Sequence, residues 1–209
     1  MLLSRIQVAA HAPLILHVPG LTDEGLRSSQ LVEFVDIFPT LVDAAGFNPL
    51  EPCPEISNTT LLCTKGSSLI PLLENPNESV WKKAVFWQYP RGDFINTHLQ
   101  KIMGYSMRTA EWHYTEWVGV THLGGSDYQP DWENQRDWPE LYNLIEDPQE
   151  NWNLARQSDY SQVGGVDFDG FTSNNIHQMF YMDLYFQVLQ ELSSQLRAGW
   201  RLAKPESNQ

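Results

Sequence analysis

The sequence predicts an α/β half-unit followed by an α+β domain. An apolar run at residues 14–18 is bounded by prolines, and such a run is typical of a strand buried on both faces of a parallel sheet. The segment after it repeats apolar residues every three or four positions, which predicts a helix. Residues 112–120 are rich in alternating aromatic side chains, which is typical of a strand in an antiparallel sheet with one face packed and one partly exposed to water.

The predicted first helix follows the strand after a short loop. Ser28 or Ser29 can cap its start, and Gly46 can end it, because glycine readily adopts the left-handed conformation that follows a helix. Pro39 lies inside the span and should kink or split the helix, since it lacks the backbone N–H and crowds the preceding turn. The apolar face is expected to comprise Leu31, Phe34, Val35, Phe38, Leu41, Val42 and Ala45.

The rest of the chain predicts a small antiparallel sheet of four strands and a C-terminal helix. The strands are expected at residues 83–88, 101–109, 112–120 and 140–144. Helical spacing returns at residues 177–202. Residues 158–175, which are rich in Gly, Ser and Asp and have no period, are interpreted as a surface excursion.

Four parts are therefore expected along the chain. Residues 1–47 carry a strand and a helix that form half of an α/β unit, and residues 48–80 form a proline-rich connector. Residues 81–204 form the small α+β domain, and residues 205–209 form a tail.

Charge and hydropathy exclude some classes of function. The chain has 26 acidic and 13 basic residues, a net charge of −13, so no basic cluster is available to replace phosphate counterions on a nucleic acid. No apolar run approaches the length of a membrane span. Residues 1–5 are too few and too polar for a signal peptide, so we expect either that this is not a secreted or lysosomal protein or that its front is missing.

Two cysteines, Cys53 and Cys63, lie too far apart for a C-x-x-C metal or redox motif. They form either a small loop disulfide, which we favour, or two free thiols. A disulfide implies an oxidising compartment. Asn58 and Asn77 each begin a glycosylation triplet, which agrees with that compartment.

Several of these segments resemble the sulfatase family, and in particular the C-terminal portion of iduronate-2-sulfatases. The motifs are APLILHVPG, LVEFVDIFPTLVDAAG and ELYNLIEDPQENWNLA, of which the last is the most specific. The resemblance covers roughly residues 8–155 and the C-terminal helix. It implies that residues 1–47 close an alkaline-phosphatase-like domain, and that a similar cysteine pair follows the first helix.

The resemblance implies a sulfuric ester hydrolase that removes sulfate from uronate sugars during glycosaminoglycan degradation, in the lysosome or secretory pathway. The family's nucleophile is a formylglycine made from the cysteine of C-x-P-S-R, and its metal is calcium. Neither Cys53 nor Cys63 lies in that motif, and no acidic cluster has the spacing of a calcium site. We therefore expect a fragment, a processed chain or a truncated gene model that is inactive without an N-terminal catalytic portion.

Four side chains are candidates for substrate binding. Arg91 ends a Q-Y-P-R segment that resembles iduronate-2-sulfatases, and its planar fork suits either a substrate anion or a structural ion pair. His98 or Lys101 could replace a substrate-binding lysine of the family, and His11 lies at the start of the first predicted strand. Asp36 is interpreted as a helix-surface or packing residue, and no partner is evident for His113 or His122.

Two alternatives stay open at this point. The first is a sulfatase with a different sulfated substrate. The second is a non-catalytic domain that assembles with a separate N-terminal chain.

Overall fold

The computed structural model describes residues 10–56, 59–77, 81–91, 102–124, 127–135, 137, 139–155 and 176–205, without the side chains of residues 122–127 and 176–183. The chain forms two compact units. The sheet unit is Phe86–Gly199, and the N-terminal unit comprises the described residues of Gln7–Val85 and Trp200–Gln209. Residues 81–85 and 200–204, at the two ends of the predicted small domain, thus group with the N-terminal unit.

Helix α1, Ile37–Ala44, begins later than predicted, after a 3-10 turn at Phe34–Asp36. Its entry is held by Glu33, whose N–H donates to Asp36 Oδ2 at 2.8 Å, so neither Ser28 nor Ser29 caps it. The predicted kink at Pro39 is wrong. This proline lies in the first turn, where the N–H that it lacks would have no intrahelical acceptor.

The predicted end of α1 is confirmed. Gly46 has a φ of +72°, the left-handed conformation that glycine adopts most easily. Its N–H donates to the Asp43 carbonyl at 2.9 Å, and the N–H of Phe47 donates to the Val42 carbonyl at 3.1 Å. These two bonds provide donors for carbonyls of the last helical turn that have no partner within the helix.

The strand predicted at residues 14–18 is wrong for the described part of the chain, where this segment lies outside every sheet. A strand needs a neighbouring strand to pair its backbone groups, and the described residues place none beside it. Ile15 is 89% exposed. The alternate residues Leu14 and Leu16 pack with Val32 against a small core of Leu69, Leu72 and Trp81.

A disulfide between Cys53 and Cys63 closes the loop before the second helix, with 4.8 Å between the two Cα atoms, and confirms the predicted pairing. Helix α2, Ile70–Glu74, follows this loop. The chain returns to the loop at a C-terminal 3-10 turn, Trp200–Ala203. There the Arg201 guanidinium donates to the carbonyls of Cys53, at 3.2 Å, and of Pro54, at 2.7 Å.

The sheet unit is built on the long strand β3. The five strands are β1 (Val85–Arg91), β2 (Ile102–Arg108), β3 (Trp112–Gly124), β4 (Asp127–Gln135) and β5 (Glu140–Asn143). One edge of β3 pairs antiparallel with β2, from Ile102↔Gly119 to Arg108↔His113. The other edge is shared, because β5 pairs with residues 112–115 and β4 with residues 118–124.

The sheet therefore has one strand more than the four predicted, and the strand that was not predicted is β4. Its sequence, DYQPDWENQ, is polar and contains Pro130, so the local sequence argues against a strand. The structure places β4 last in the strand order, as an outer strand. Proline is tolerated there because one side of an outer strand makes no ladder hydrogen bonds.

The predicted C-terminal helix is confirmed as α3, Ile176–Ala198. Among the described side chains of this helix, the buried apolar ones are Leu192 and Leu196, with 4% and 6% exposure. The buried carboxylate of Glu116 on β3 accepts hydrogen bonds from Ser193 at 2.7 Å and from Arg197 at 2.8 Å. Among the described helices, none has the length and apolar character needed to cross a membrane.

Candidate functional site

Arg91, the last residue of β1, lies between an acidic and an aromatic side chain. Its Nη1 donates to Asp137 Oδ2 at 2.5 Å, and its Cζ lies 3.7 Å from the centroid of the Trp117 ring. The Arg91 and Asp137 side chains are 33% and 40% exposed, whereas Trp117 is 1% exposed. The guanidinium therefore covers a buried indole and is held by a carboxylate that reaches water.

The indole under Arg91 is itself fixed by a buried carboxyl group. Trp117 Nε1 donates to Glu140 Oε1 at 2.9 Å, and the Tyr142 hydroxyl donates to Glu140 Oε2 at 3.3 Å. Burial raises the pKa of the Glu140 carboxyl, and the two hydrogen bonds act in the opposite direction. Gly104 on β2 pairs with Trp117 on β3, and a Cβ atom at Gly104 would lie 2.6 Å from the indole ring. Strand β2 can approach the indole this closely only because residue 104 is glycine.

Of the two roles considered for Arg91, the contacts favour the structural ion pair. We expect Arg91→Lys to lower the free energy of unfolding by about 1–2 kcal/mol, since lysine keeps the charge but loses the planar stacking and the fork. Urea denaturation of both proteins measures this loss, with Arg27→Lys on an exposed segment as the control. A loss of about 3–5 kcal/mol would instead indicate a fully buried pair.

A second polar cluster lies inside the sheet unit. His113 is 0% exposed, and its Nδ1 lies 2.7 Å from Glu150 Oε1. Its Nε2 lies 3.2 Å from Thr115 Oγ1, which lies 2.7 Å from Ser106 Oγ. This chain of groups links β2 and β3 to the segment after β5. Because Ser106, His113 and Thr115 are almost completely enclosed, the cluster stabilises the fold and is not accessible to a substrate.

Several polar side chains of the ELYNLIEDPQENWNLA motif form hydrogen bonds with the backbone of the turn that the motif makes. Asn143 Oδ1 accepts the N–H of Ile145 at 2.9 Å. Asn153 accepts the N–H of Leu141 at 3.0 Å and donates to the Pro139 carbonyl at 3.0 Å. With Glu150 bound to His113, the motif performs a structural task. No local pattern predicted the contact between His113 and Glu150, because the two residues are 37 positions apart in the chain.

In the N-terminal unit, Asp36 is a buried packing residue. It is 0% exposed, and the Lys82 Nζ lies 2.6 Å from its Oδ1 and 2.7 Å from Glu33 Oε2. The N–H of Ser67 also donates to Asp36 Oδ1, at 2.8 Å. No local pattern predicted this cluster, because Lys82 and Asp36 are 46 residues apart in sequence.

The other predicted residues are not brought together with Arg91. His11 is exposed and lies outside the helices and strands, and Asn77 is exposed on its loop. The positions of His98, Lys101 and Asn58, and the side chain of His122, lie outside the described residues. Within the described part of the chain, no group of at least three His, Cys, Asp or Glu residues could hold a metal ion.

Comparison with known proteins gives a family match over more than half of the chain. The family model for the C-terminal part of N-sulphoglucosamine sulphohydrolase matches residues 6–166. Iduronate 2-sulfatase from Homo sapiens is 33% identical over 160 residues, which cover 56% of this chain and 28% of that protein. The Mus musculus protein is 31% identical over 208 residues, which cover 78% and 36% of the two chains.

Arylsulfatase K from Rattus norvegicus is also similar, at 29% identity over 157 residues, which cover 74% of this chain and 23% of that protein. The chain thus spans well under two thirds of the length of these relatives. The resemblance found in the motifs is confirmed. With a C-terminal sulfohydrolase domain matched over most of its length and two kinds of sulfatase among its relatives, this chain belongs to the sulfatase family.

Proposed function

We propose that this chain is the C-terminal portion of a sulfuric ester hydrolase similar to iduronate 2-sulfatase, acting on sulfated uronate sugars of glycosaminoglycans. The observation that carries the proposal is the match of residues 6–166 to a C-terminal sulfohydrolase model, together with 31–33% identity to iduronate 2-sulfatases. The ELYNLIEDPQENWNLA motif lies inside the matched residues, and its polar side chains hold the turn after β5.

A sulfatase with another sulfated substrate is the second candidate. Its support is the similarity to arylsulfatase K, which covers 74% of this chain at 29% identity. The engagement of Arg91 with Asp137 and Trp117 also weakens the argument that this residue selects a uronate.

The calcium and formylglycine that the resemblance implies do not fit the described residues. Both cysteines are joined in a disulfide, so neither is available for conversion to formylglycine. The described carboxylates form no group of the size that a metal site needs. We propose that an N-terminal catalytic portion supplies both groups, and that this chain contributes the sheet unit and the N-terminal unit with its buried Asp36–Lys82 pair.

We further propose a lysosomal or secretory location. The Cys53–Cys63 disulfide is the supporting feature, because such bonds persist in oxidising compartments. Asn77, exposed on its loop, is available for glycosylation there.

The test joins this chain to the polypeptide encoded upstream of it. We expect the joined protein to remove sulfate from a disaccharide with a 2-sulfated iduronate, and the purified chain alone to turn over neither that disaccharide nor a chromogenic aryl sulfate. Sulfate release by ion chromatography measures both reactions. Turnover of the aryl sulfate without the disaccharide would support the second candidate.

Activity of the chain alone would contradict the proposal if it survived in a Cys53→Ser, Cys63→Ser double variant. Such a result would place a nucleophile among residues to which we assign only structural roles.

A further inference from the structure

The C-terminal segment 200–204, which we name the C-terminal clasp, holds both ends of the disulfide loop. Near the start of the loop, Arg201 Nη2 donates to the carbonyl of Cys53 at 3.2 Å and to the next carbonyl along the chain at 2.7 Å. Just beyond the end of the loop, Lys204 Nζ donates to the carbonyl of Gly66 at 3.1 Å. The clasp therefore binds the backbone on both sides of the loop, and its attachment depends on where that backbone lies.

The two ends of the loop are kept side by side by one covalent bond and two backbone hydrogen bonds. The covalent bond is the Cys53–Cys63 disulfide. The hydrogen bonds run from the N–H of Cys53 to the Thr64 carbonyl and from the N–H of Thr64 to the Glu51 carbonyl, both at 2.9 Å. The disulfide prevents the ends from separating, whereas each hydrogen bond competes with water and adds little net stability. The disulfide is thus the main restraint on the ends of the loop.

Beyond the loop, the described part of the chain offers the clasp only a few contacts. Ala203 is its buried side chain, at 8% exposure, and the Ala203 carbonyl accepts the N–H of Lys83 at 3.1 Å. Leu202 is 75% exposed, and Arg201 is exposed as well. Because alanine buries little apolar area, these contacts alone hold the clasp weakly. Most of the attachment comes from the carbonyls at the ends of the loop.

Arg201 and Lys204 carry their charges close to the same indole, with Arg201 Cζ 4.4 Å and Lys204 Nζ 4.8 Å from the centroid of the Trp200 ring. Burial lowers the pKa of the Lys204 ammonium, and the nearby Lys82 charge acts in the same direction. The place that Lys204 occupies thus disfavours its charge, and the hydrogen bond to Gly66 offsets that cost. If the loop moves, the ammonium loses this bond and is more stable in water.

We propose that the Cys53–Cys63 disulfide is a redox switch for the C-terminal clasp. With the bond intact, the clasp is bound to the ends of the loop. When a dithiol reduces the bond, the ends separate and residues 200–204 detach. An oxidising compartment therefore keeps the clasp bound, and a reducing one releases it. A released C-terminal segment is open to proteases, so the switch marks chains in a reducing compartment for degradation.

The reduction is a thiol–disulfide exchange. Cys63 is half-buried and Cys53 is only 8% exposed, so the first thiolate of the dithiol attacks the Cys63 sulfur. The S–S bond breaks, and Cys53 leaves as a thiolate that takes a proton from water. The second thiol of the reductant then displaces Cys63 from the mixed disulfide. The chain gains two electrons and two protons in all, and the dithiol is oxidised to a disulfide.

Limited proteolysis with trypsin tests the switch, because trypsin must bind the arginine side chain of the bond that it cuts. The chain is compared in its disulfide form and after reduction and alkylation of both cysteines, so that the protease meets no reductant. We expect the Arg201–Leu202 bond to be cut at least about tenfold faster in the reduced chain, since the guanidinium is then no longer bound to carbonyls. Mass spectrometry of peptide 202–209 gives the rate. Cleavage after Arg27, on an exposed segment outside the loop, should not change and is the internal control.

Two variants separate the disulfide from the clasp itself. The Cys53→Ser, Cys63→Ser double variant should show fast cleavage without reduction or alkylation. Arg201→Lys keeps a trypsin site but loses the fork that binds two carbonyls, so it should be cut faster than the wild type even with the disulfide intact. Lys65→Arg, at an exposed position beside Gly66, is the matched control and should leave cleavage after residue 201 unchanged.

Hydrogen–deuterium exchange in peptides from β2 and β3 shows whether the rest of the chain stays folded on reduction. Faster cleavage after Arg201 with unchanged exchange in these strands would support the switch. Equal cleavage of the two forms would overturn it. Exchange that rises in β2 and β3 on reduction would also overturn it, because the disulfide would then support the whole fold and not the clasp in particular.

Discussion

Replacing Lys82 by methionine is expected to lower the free energy of unfolding by about 3–5 kcal/mol, the range for breaking a buried ion pair. The Lys82 and Asp36 side chains are only 3% and 0% exposed, and Glu33 shares the same ammonium. Methionine retains most of the side-chain volume, so packing is largely preserved. The variant leaves two carboxylates close together without their cation, in a place that water reaches poorly.

Urea denaturation provides the measurement, and Lys83→Met is the matched control because the neighbouring Lys83 side chain is exposed. The control should change stability by no more than about 0.5 kcal/mol. If the two variants had the same stability, the buried position of Lys82 and its role as the cation that pairs with Asp36 and Glu33 at the start of α1 would both be refuted.

The Glu150→Ala variant should lose about 3 kcal/mol of stability, because it removes the charged partner of a buried histidine. His113 has no exposed surface, and Glu150 Oε1 lies 2.7 Å from its Nδ1. Glu146→Ala, at an exposed position in the same motif, serves as the control. Equal denaturation midpoints for the two variants would refute the role assigned to Glu150.

Glu150 also carries backbone strain, and a third variant separates that effect. Its φ of 55° lies in the left-handed region, which costs a residue with a Cβ atom about 1 kcal/mol or more. Glu150→Gly removes the same carboxylate but relieves the backbone. It should therefore be more stable than Glu150→Ala by about 1 kcal/mol, and a glycine variant no more stable than the alanine variant would argue against stored strain.

These predictions share a consequence for the proposed enzyme. Three deeply buried ionisable side chains, Asp36, His113 and Glu116, are each held by a side chain of the opposite kind, which is Lys82, Glu150 and Arg197 respectively. Substitutions at these positions should reduce the amount of folded protein before they affect chemistry. Measuring kcat/KM together with Tm in the joined protein distinguishes the two effects.

Much of the secondary structure could be predicted because its signals are local. Gly46 ends α1 through its own φ angle, and the spacing of apolar residues identified α3. The strand β4 was missed because Pro130 and its polar neighbours argue against a strand unless the edge position is known. Residues 14–18 have the pattern of a buried strand, but the described chain offers no strand to pair with them.

The sequence by itself determined the family and the approximate position of most helices and strands, since motifs and periodicities are properties of neighbouring residues. It favoured a pairing of the two cysteines, which the structure then showed. Only the tertiary structure decided the role of each charged side chain. Arg91 lies beside Asp137, Lys82 beside Asp36 and His113 beside Glu150, each pair 37 or 46 residues apart in the chain. Such contacts depend on how strands and loops pack, because the energy of a buried charge is set by the partner that the fold places next to it.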